Sequence, residues 1–423
     1  MKKDREKKQK YSNITDATIV GSTSEESMLY ANANREHLSV LDKLEEISKR
    51  KINPNYINQN INQQAGFSAE LKEQAHANAQ NILMENKERL VQYDNLSVDQ
   101  KAQIRERFPD YATPSKNHEI VDYISVDEKG NVIPGTLTQS KFVGRNGAEC
   151  FEEFSSNKDY EKYLKNGVKM EIPKDFFGDF QKEANIKIKS LESQIAKQKS
   201  FGDFQKAAKL EEKLQKCKTI KANTRSASIT KEEAIYARNH PTLSTAKDVT
   251  NLSHQAGMNA MQTGALVGCS VSLVTNLWEC VTKGKDPKEA LKHTAIATLK
   301  GGAYSYGVAF ASSSLGGMMQ NSANKVIQSL GKSSAPAMIV GACVANVTIL
   351  TRYFSGKIDE VELCKQLGRT NTSLLSGGAM AVAGQALIPI PVVGMLIGGF
   401  VGAALIEAFY FRRVSPSGCR IWV

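Results

Sequence analysis

The sequence predicts a mainly α protein with a small α/β segment, in which a helical hairpin or coiled coil is followed by a Gly/Ala-rich helical membrane bundle. Three observations carry this reading. Charged residues make up roughly 31% of the first 250 positions and about 12% of the rest, so the two parts suit different solvents. Two strand-like runs fall within residues 117–144, NHEIVDYISVDEKGNVIPGTLTQSKFVG, separated by turn-rich Glu128–Asn131 and Pro134-Gly135. Beyond residue 254, four stretches (255–278, 301–324, 333–351 and 370–406) contain no Asp, Glu, Lys or Arg.

At 423 residues the chain exceeds what one hydrophobic core organises. Six segments are expected. Residues 1–60 read as a polar flexible lead, Asn/Gln/Lys-rich, with one amphipathic helix in which Leu38, Val40, Leu41, Leu44 and Ile47 recur at helical spacing. Residues 61–177 read as a small α/β domain: a helix over GFSAELKEQAHANAQNILMENKERLVQ, the two strands, and a second helix over GAECFEEFSSNKDYEKYLKNG.

Residues 178–221 place Phe180, Ala184, Ile188, Leu191 and Ile195, then Phe204, Ala208, Leu210, Leu214 and Cys217, among Lys, Glu and Gln, with Gly202 midway. Two antiparallel helices fit, because each alone would leave its apolar stripe in water. Residues 222–254 read as a linker, 255–412 as the membrane domain and 413–423 as a basic tail.

The uncharged stretches approach the roughly 20 residues that span a hydrocarbon core. The last, LLSGGAMAVAGQALIPIPVVGMLIGGFVGAALI, is interrupted by Pro389 and Pro391, which predicts a hairpin or a sharp kink. Gly394, Gly398 and Gly402 then recur every four residues and line one face, the glycine-zipper spacing at which helices meet backbone to backbone. Gly264 and Gly268 supply a second such face, while Gln262, Asn276, Ser312 and Gln320 weaken the earlier stretches as spans. A faint repeat at an offset of roughly 72 to 76 residues relates the chain around Gly284 to that around Gly356. A soluble bundle of Gly/Ala-rich helices is the competing reading.

The formal net charge of +11 suits anionic lipid or nucleic acid, and Arg412, Arg413 and Arg420 behind the last apolar stretch suit headgroups. Seven cysteines without C-x-x-C spacing and six scattered histidines argue for a reducing compartment and against a zinc site. The basic first ten residues are not followed by an apolar run, so no cleaved export signal is expected.

One constellation carries chemistry. Glu70 lies early in the first helix of the α/β segment, Asp122 in the first strand, and Gln139 and Lys141 in the second. Residues two apart on a strand share a face, so Gln139 and Lys141 point the same way and Asp122 can sit beside them. Carboxylates there would hold Mg²⁺ through oxygen while the lysine stabilises charge during water attack on a phosphodiester. Asp127 is the competing acid, on the opposite face from Asp122.

This order, helix carboxylate, strand Asp, then acid-or-Gln, x, Lys, resembles the PD-(D/E)xK nuclease superfamily. The resemblance implies metal-dependent phosphodiester hydrolysis, with Glu70, Asp122, Gln139 and Lys141 catalytic and Glu70 and Asp122 as metal ligands. Gln139 stands where an acid is usual, and a neutral amide holds a hard cation less well. Taken whole, the words Q-Q-A-G-F, K-F-V-G and I-P-I-P-V-V-G resemble uncharacterised bacterial membrane proteins carried on mobile elements, which implies a conflict or element-maintenance role. The expectation is a bacterial inner-membrane protein with its N-terminal part cytoplasmic. Its expected partners are the lipid bilayer, nucleic acid and further copies of itself through glycine-rich helices. A non-enzymatic membrane-inserting protein that oligomerises, as a pore or a scaffold, is the alternative.

Overall fold

The computed structural model describes residues 2–107, 120–283, 286–359 and, of the next thirteen, all but 360, 364, 369 and 371. Gly394, Gly398, Gly402, the Pro389/Pro391 break, the basic tail and part of the second repeat copy lie outside the described residues.

The protein is mainly helical with one small mixed sheet. Helices α1 (Lys2–Ser39), α2 (Leu41–Ser48) and α3 (Ile57–Leu83) lead to strand β1 (Arg89–Gln92), and α4 (Val98–Arg107) follows. Then come β2 (Tyr123–Val126), β3 (Thr138–Ser140), α5 (Gly147–Ser156), α6 (Glu161–Lys165), β4 (Lys169–Ile172), α7 (Lys174–Ser200), α8 (Phe204–Asn223) and β5 (Thr224–Ser226). Helices α9 (Lys231–Asn239), α10 (Pro241–Lys283), α11 (Pro287–Gln320), α12 (Lys325–Gly331) and α13 (Ala335–Phe354) complete the described chain. It divides into two compact units: residues 39–247, and residues 1–38 with the described chain from Asp248 onward.

In the first unit the sheet order is β1-β2-β3-β4-β5, antiparallel through β3 and parallel from β3 to β5. Each parallel step needs a crossover, and helices supply both: α5 and α6 between β3 and β4, α7 and α8 between β4 and β5. Alternation along β4 sends Met170 and Ile172 into an apolar core with Ile124, Phe151, Phe154, Phe176, Phe180, Cys217 and Ile220. Phe151 and Phe154 both meet Phe180 edge-on, with centroids 5.4 and 5.8 Å apart. Gly147 permits the close approach of α5 to α7, because a Cβ there would run into the Phe176 carbonyl.

Helix α3 is fastened to the sheet by Asn78, whose amide accepts from Leu90 N–H (2.7 Å) and donates to Leu90 O (3.0 Å). This satisfies backbone groups that an edge strand would otherwise leave open. On its other side, Ala65 and Ala69 pack with Ile229 and Ala234. A capping box between Thr230 and Glu233 starts α9.

Several segments differ from the sequence reading. The expected flexible lead is the long helix α1, with Ala17 and Val20 buried among Val308, Ala337 and Ala345. Its buried positions also include Thr18, Ser22, Thr23, Ser24, Ser27 and Asn34, so no apolar stripe announced it. The amphipathic stretch does form α2, with Val40, Leu44 and Ile47 packed on Leu71 and Ala75. The helix expected over 66–92 begins earlier, at Ile57, and stops at Leu83, and its RLVQ end becomes β1. The hairpin at 178–221 exists as α7 and α8, but it leads into β5 and so belongs to the same compact unit as the sheet. The expected linker at 222–254 contains β5, α9 and the start of α10.

In the second unit small residues set the packing. A Cβ on Gly264 would strike Ser305 and the Gly301 carbonyl, one on Gly268 the Ala297 carbonyl, and one on Gly301 the Gly264 carbonyl. Helices α10 and α11 therefore cross with backbones almost touching, at the Gly264/Gly268 face read from the sequence. Hydroxyls and amides bridge the helices: Asn34 donates to Ser253 (3.0 Å), Ser253 and Ser314 share a hydrogen bond (2.8 Å), and Ser305 donates to the Ala260 carbonyl (2.8 Å).

Among the described residues one helix, α13, is long and apolar enough to cross a membrane, judged by length and composition alone. It exposes Ile339, Val344, Val347, Leu350 and Phe354. The stretches at 255–278 and 301–324 lie in α10 and, as far as Gln320, in α11.

Candidate active site

The four residues singled out in the sequence come from a helix and two strand ends, and the fold brings them together. Asp122 occupies a bend directly before β2, where its N–H donates to Thr138 O (2.9 Å) and its carbonyl accepts from Tyr93 N–H (2.8 Å). Those bonds on either side aim its carboxylate at β3. Oδ2 accepts from the Gln139 amide (2.6 Å) and from the Ser140 N–H (2.7 Å). Lys141 follows β3, with its N–H held by the Glu171 carbonyl (2.7 Å) and its Nζ 5.3 Å from the centre of the Tyr163 ring.

Glu70 and Glu73, three apart on α3, share one helix face. Ser228 donates to Glu73 from both N–H (2.7 Å) and hydroxyl (2.6 Å). Neighbouring β4 contributes Glu171, whose Oε2 takes a two-pronged contact from the Arg225 guanidinium, Nε and Nη2 each at 2.8 Å. That guanidinium also lies 5.7 Å from the Tyr123 ring centre.

Burial and crowding of like charge set the acidities. Burial raises Asp122 to about 6 against the opposing pull of Lys141, the Ser140 N–H and the Gln139 amide. Burial, then the charge of Asp122, pushes Glu70 well above the usual carboxylate range, with Lys141 opposing. Burial lowers Lys141, while Asp122 and Glu70 favour its ammonium form. Glu171 is raised to about 8, first by burial and then by Glu73, with Arg225 opposing. Carboxylates thus outnumber cations in a site shielded from water.

Gln139 has a definite role here. A carboxylate only accepts, so the amide nitrogen must face Asp122, and Oε1 is left buried without a partner. Oε1 of Glu171 is likewise buried and unpartnered. Two crowded carboxylates with orphaned oxygens nearby form a hard, oxygen-only donor set of the kind Mg²⁺ takes. The donor type present is thus the one that the expected cation takes, and Glu70 and Asp122 are the residues that would hold it.

The competing Asp127 is accounted for otherwise. Its carboxylate accepts from the Lys129 and Asn131 N–H groups and the Asn131 amide, all at 2.8–2.9 Å, which lowers its pKa and makes it a turn-forming residue. Sequence reasoning missed Glu73, Glu171 and Arg225. The available signal was a charge flanked by Met170 and Ile172 in an apolar run, K-M-E-I, where burial needs a partner. No protein family, curated protein or solved structure matches the chain.

Proposed function

We propose that residues 39–247 form a Mg²⁺-dependent nuclease domain that hydrolyses phosphodiester bonds. The domain would act as the cytoplasmic part of a bacterial inner-membrane protein with a role in conflict or mobile-element maintenance. The observation that carries this reading is the meeting of Glu70, Asp122, Gln139 and Lys141 in one cluster, in the order in which their motifs resemble the PD-(D/E)xK superfamily.

In this reading Glu70 and Asp122 hold the ion, and Gln139 fixes the rotamer of Asp122. Bound Mg²⁺ supplies polarisation of a phosphoryl oxygen and a lowered water pKa. Lys141, beside both carboxylates, places its ammonium where negative charge grows on the phosphoryl oxygens. Glu171 holds a proton at neutral pH near the same site.

The test is cleavage of labelled DNA and RNA by the detergent-solubilised full chain with Mg²⁺, against EDTA and against Glu70→Ala, Asp122→Ala and Lys141→Ala. Cleavage that needs Mg²⁺ and is lost in each variant supports the proposal. Activity surviving all three substitutions rejects it.

The exposed apolar side of α13 and the glycine crossing of α10 and α11 favour the membrane part of the reading, and they also favour a second one. In that second reading the chain is a non-enzymatic protein that inserts into the bilayer and oligomerises, Gly394, Gly398 and Gly402 supplying the contact. Membrane retention through a carbonate wash supports insertion. Oligomers lost in a Gly→Leu triple variant, from a chain that never cleaves, would favour this second reading.

A further inference from the structure

The α7–α8 hairpin ends in a feature that neither its packing nor the carboxylate cluster explains. The sequence places Phe204 in the hairpin seam, yet Phe204 is 69% exposed and Phe201 70% exposed. The seam itself closes lower down, through Leu191, Ile195, Leu210, Leu214 and Cys217.

The tip is a built turn. Gly202 adopts φ +76°, a region open to glycine at little cost. The Phe201 N–H reaches the Lys197 and Gln198 carbonyls, and the Asp203 N–H reaches Gln198 O at 3.0 Å. The Asp203 side chain caps α8 by accepting from the Lys206 N–H at 3.0 Å. Two aromatic rings are thus held in water by a hydrogen-bonded corner.

Charge surrounds them. From 182 to 221 the hairpin has eleven lysines against five acids (183, 192, 203, 211 and 212), a net of +6. Lys197, Lys206, Lys209 and Lys213 are exposed near the tip, and the Lys197 ammonium lies 5.9 Å from the Phe201 ring centre. The one acid at the corner, Asp203, is engaged as a cap. Flat apolar faces flanked by cations match a polyanion whose units carry flat apolar faces.

We propose that the tip is a docking element for nucleic acid with unpaired bases: Phe201 and Phe204 stack on bases while Lys197, Lys206 and Lys209 engage flanking phosphates. Helix α7 starts two residues after β4 and runs 27 residues, about 40 Å at ~1.5 Å per residue. That span equals about 12 nucleotide steps of a duplex strand at ~3.4 Å each. The inference extends the nuclease reading but does not depend on cleavage.

The experiment is fluorescence anisotropy of the full chain in neutral-lipid nanodiscs, in EDTA so that cleavage plays no part, with labelled oligo-dT and a duplex of equal length. Binding of oligo-dT should weaken roughly tenfold or more in Phe201→Ala/Phe204→Ala. The Phe201→Trp/Phe204→Trp variant should restore it, with tryptophan quenching on binding. Lys197→Gln/Lys206→Gln/Lys209→Gln should flatten the salt dependence. Oligo-dT binding that is absent, or unchanged in the alanine variant, overturns the proposal. So does an alanine variant whose only loss is flotation with anionic vesicles, which would assign the tip to lipid. Tip-dependent binding by a chain that never cleaves keeps the docking element and removes the nuclease reading; cleavage with tip-independent binding does the reverse.

Discussion

The two units bury polar groups in opposite ways. Residues 39–247 close around large side chains, with Phe151, Phe154, Phe180 and Ile172 interlocked against a sheet, and beside this core they bury the carboxyl of Glu171 against the partly exposed Arg225. The unit formed by residues 1–38 and the chain from Asp248 closes around Gly, Ala and Ser, and its bridges are mostly hydroxyls and amides such as Asn34, Ser253 and Ser305, beside one buried pair, His37 with Asp248 at 3.5 Å. A hydroxyl or amide cannot titrate near neutral pH and is satisfied by one or two partners. A buried carboxylate stays expensive unless a cation, a proton or an ion pair answers it. The difference lies in what is crowded: the sheet unit gathers carboxylates whose proton affinity has been raised, while the hydroxyl and amide bridges of the helical unit serve packing.

The sharpest way to break this comparison is to remove charge from the sheet unit. Asp122→Ala should lower Mg²⁺-dependent cleavage by about 10²–10³-fold or more, with circular dichroism unchanged. Because Asp122 titrates at about 6, the Mg²⁺ affinity of the wild-type chain should rise with pH through that region and be accompanied by proton release, measurable by calorimetry in two buffers. Affinity independent of pH from 5 to 8 would mean that the cation lies elsewhere.

The next effect compares the packings themselves. Phe154→Ala should cost about 3–5 kcal/mol, read by amide hydrogen exchange in β3 and β4, because a rigid aromatic core cannot collapse into the gap. Gly301→Val should act by overpacking, roughly 1–3 kcal/mol or more, and should raise exchange in α10 and α11 only. If Gly301→Val is harmless, the backbone crossing is looser than described.

Glu171 gives a pH signature of a few kcal/mol. Its folded pKa, about 8, lies above the ordinary 4.5, so the folded state binds the extra proton. The stabilisation is complete below about 4.5 and is lost as pH rises through about 8. Glu171→Gln should remove that slope from the β4 exchange protection, while retaining an acceptor for Arg225. Equal slopes in the two chains would refute the buried proton. Smallest is the cap at the hairpin corner: Asp203→Ala should destabilise α8 by about 1 kcal/mol, seen as faster exchange in its first turn.

Part of the site was legible because strands have period two. Gln139 and Lys141 at i and i+2, with Asp122 one strand earlier, follow from that rule, and the structure joins them through the Gln139–Asp122 bond. Glu171 and Arg225 were not legible. They lie on β4 and β5, which the sequence reading did not identify as strands, and they stand 54 positions apart with the α7–α8 hairpin between them. Helix α1 was missed for a different reason: its buried face is mostly Ala, Ser and Thr, and Ile19, Val20 and Tyr30 are too few among them to mark an apolar stripe.

By itself the sequence determined the composition shift near residue 250, the mainly α class, the hairpin at 178–221 and the candidate set Glu70, Asp122, Gln139 and Lys141, because local periodicity and charge record such things directly. Only the tertiary structure decided that the hairpin returns a fifth strand to the sheet, that Glu73 and Glu171 join the carboxylates, and that Phe201 and Phe204 stand in water. Each of these depends on which distant segments exclude solvent from one another, and that is a property of the packed chain rather than of any window along it.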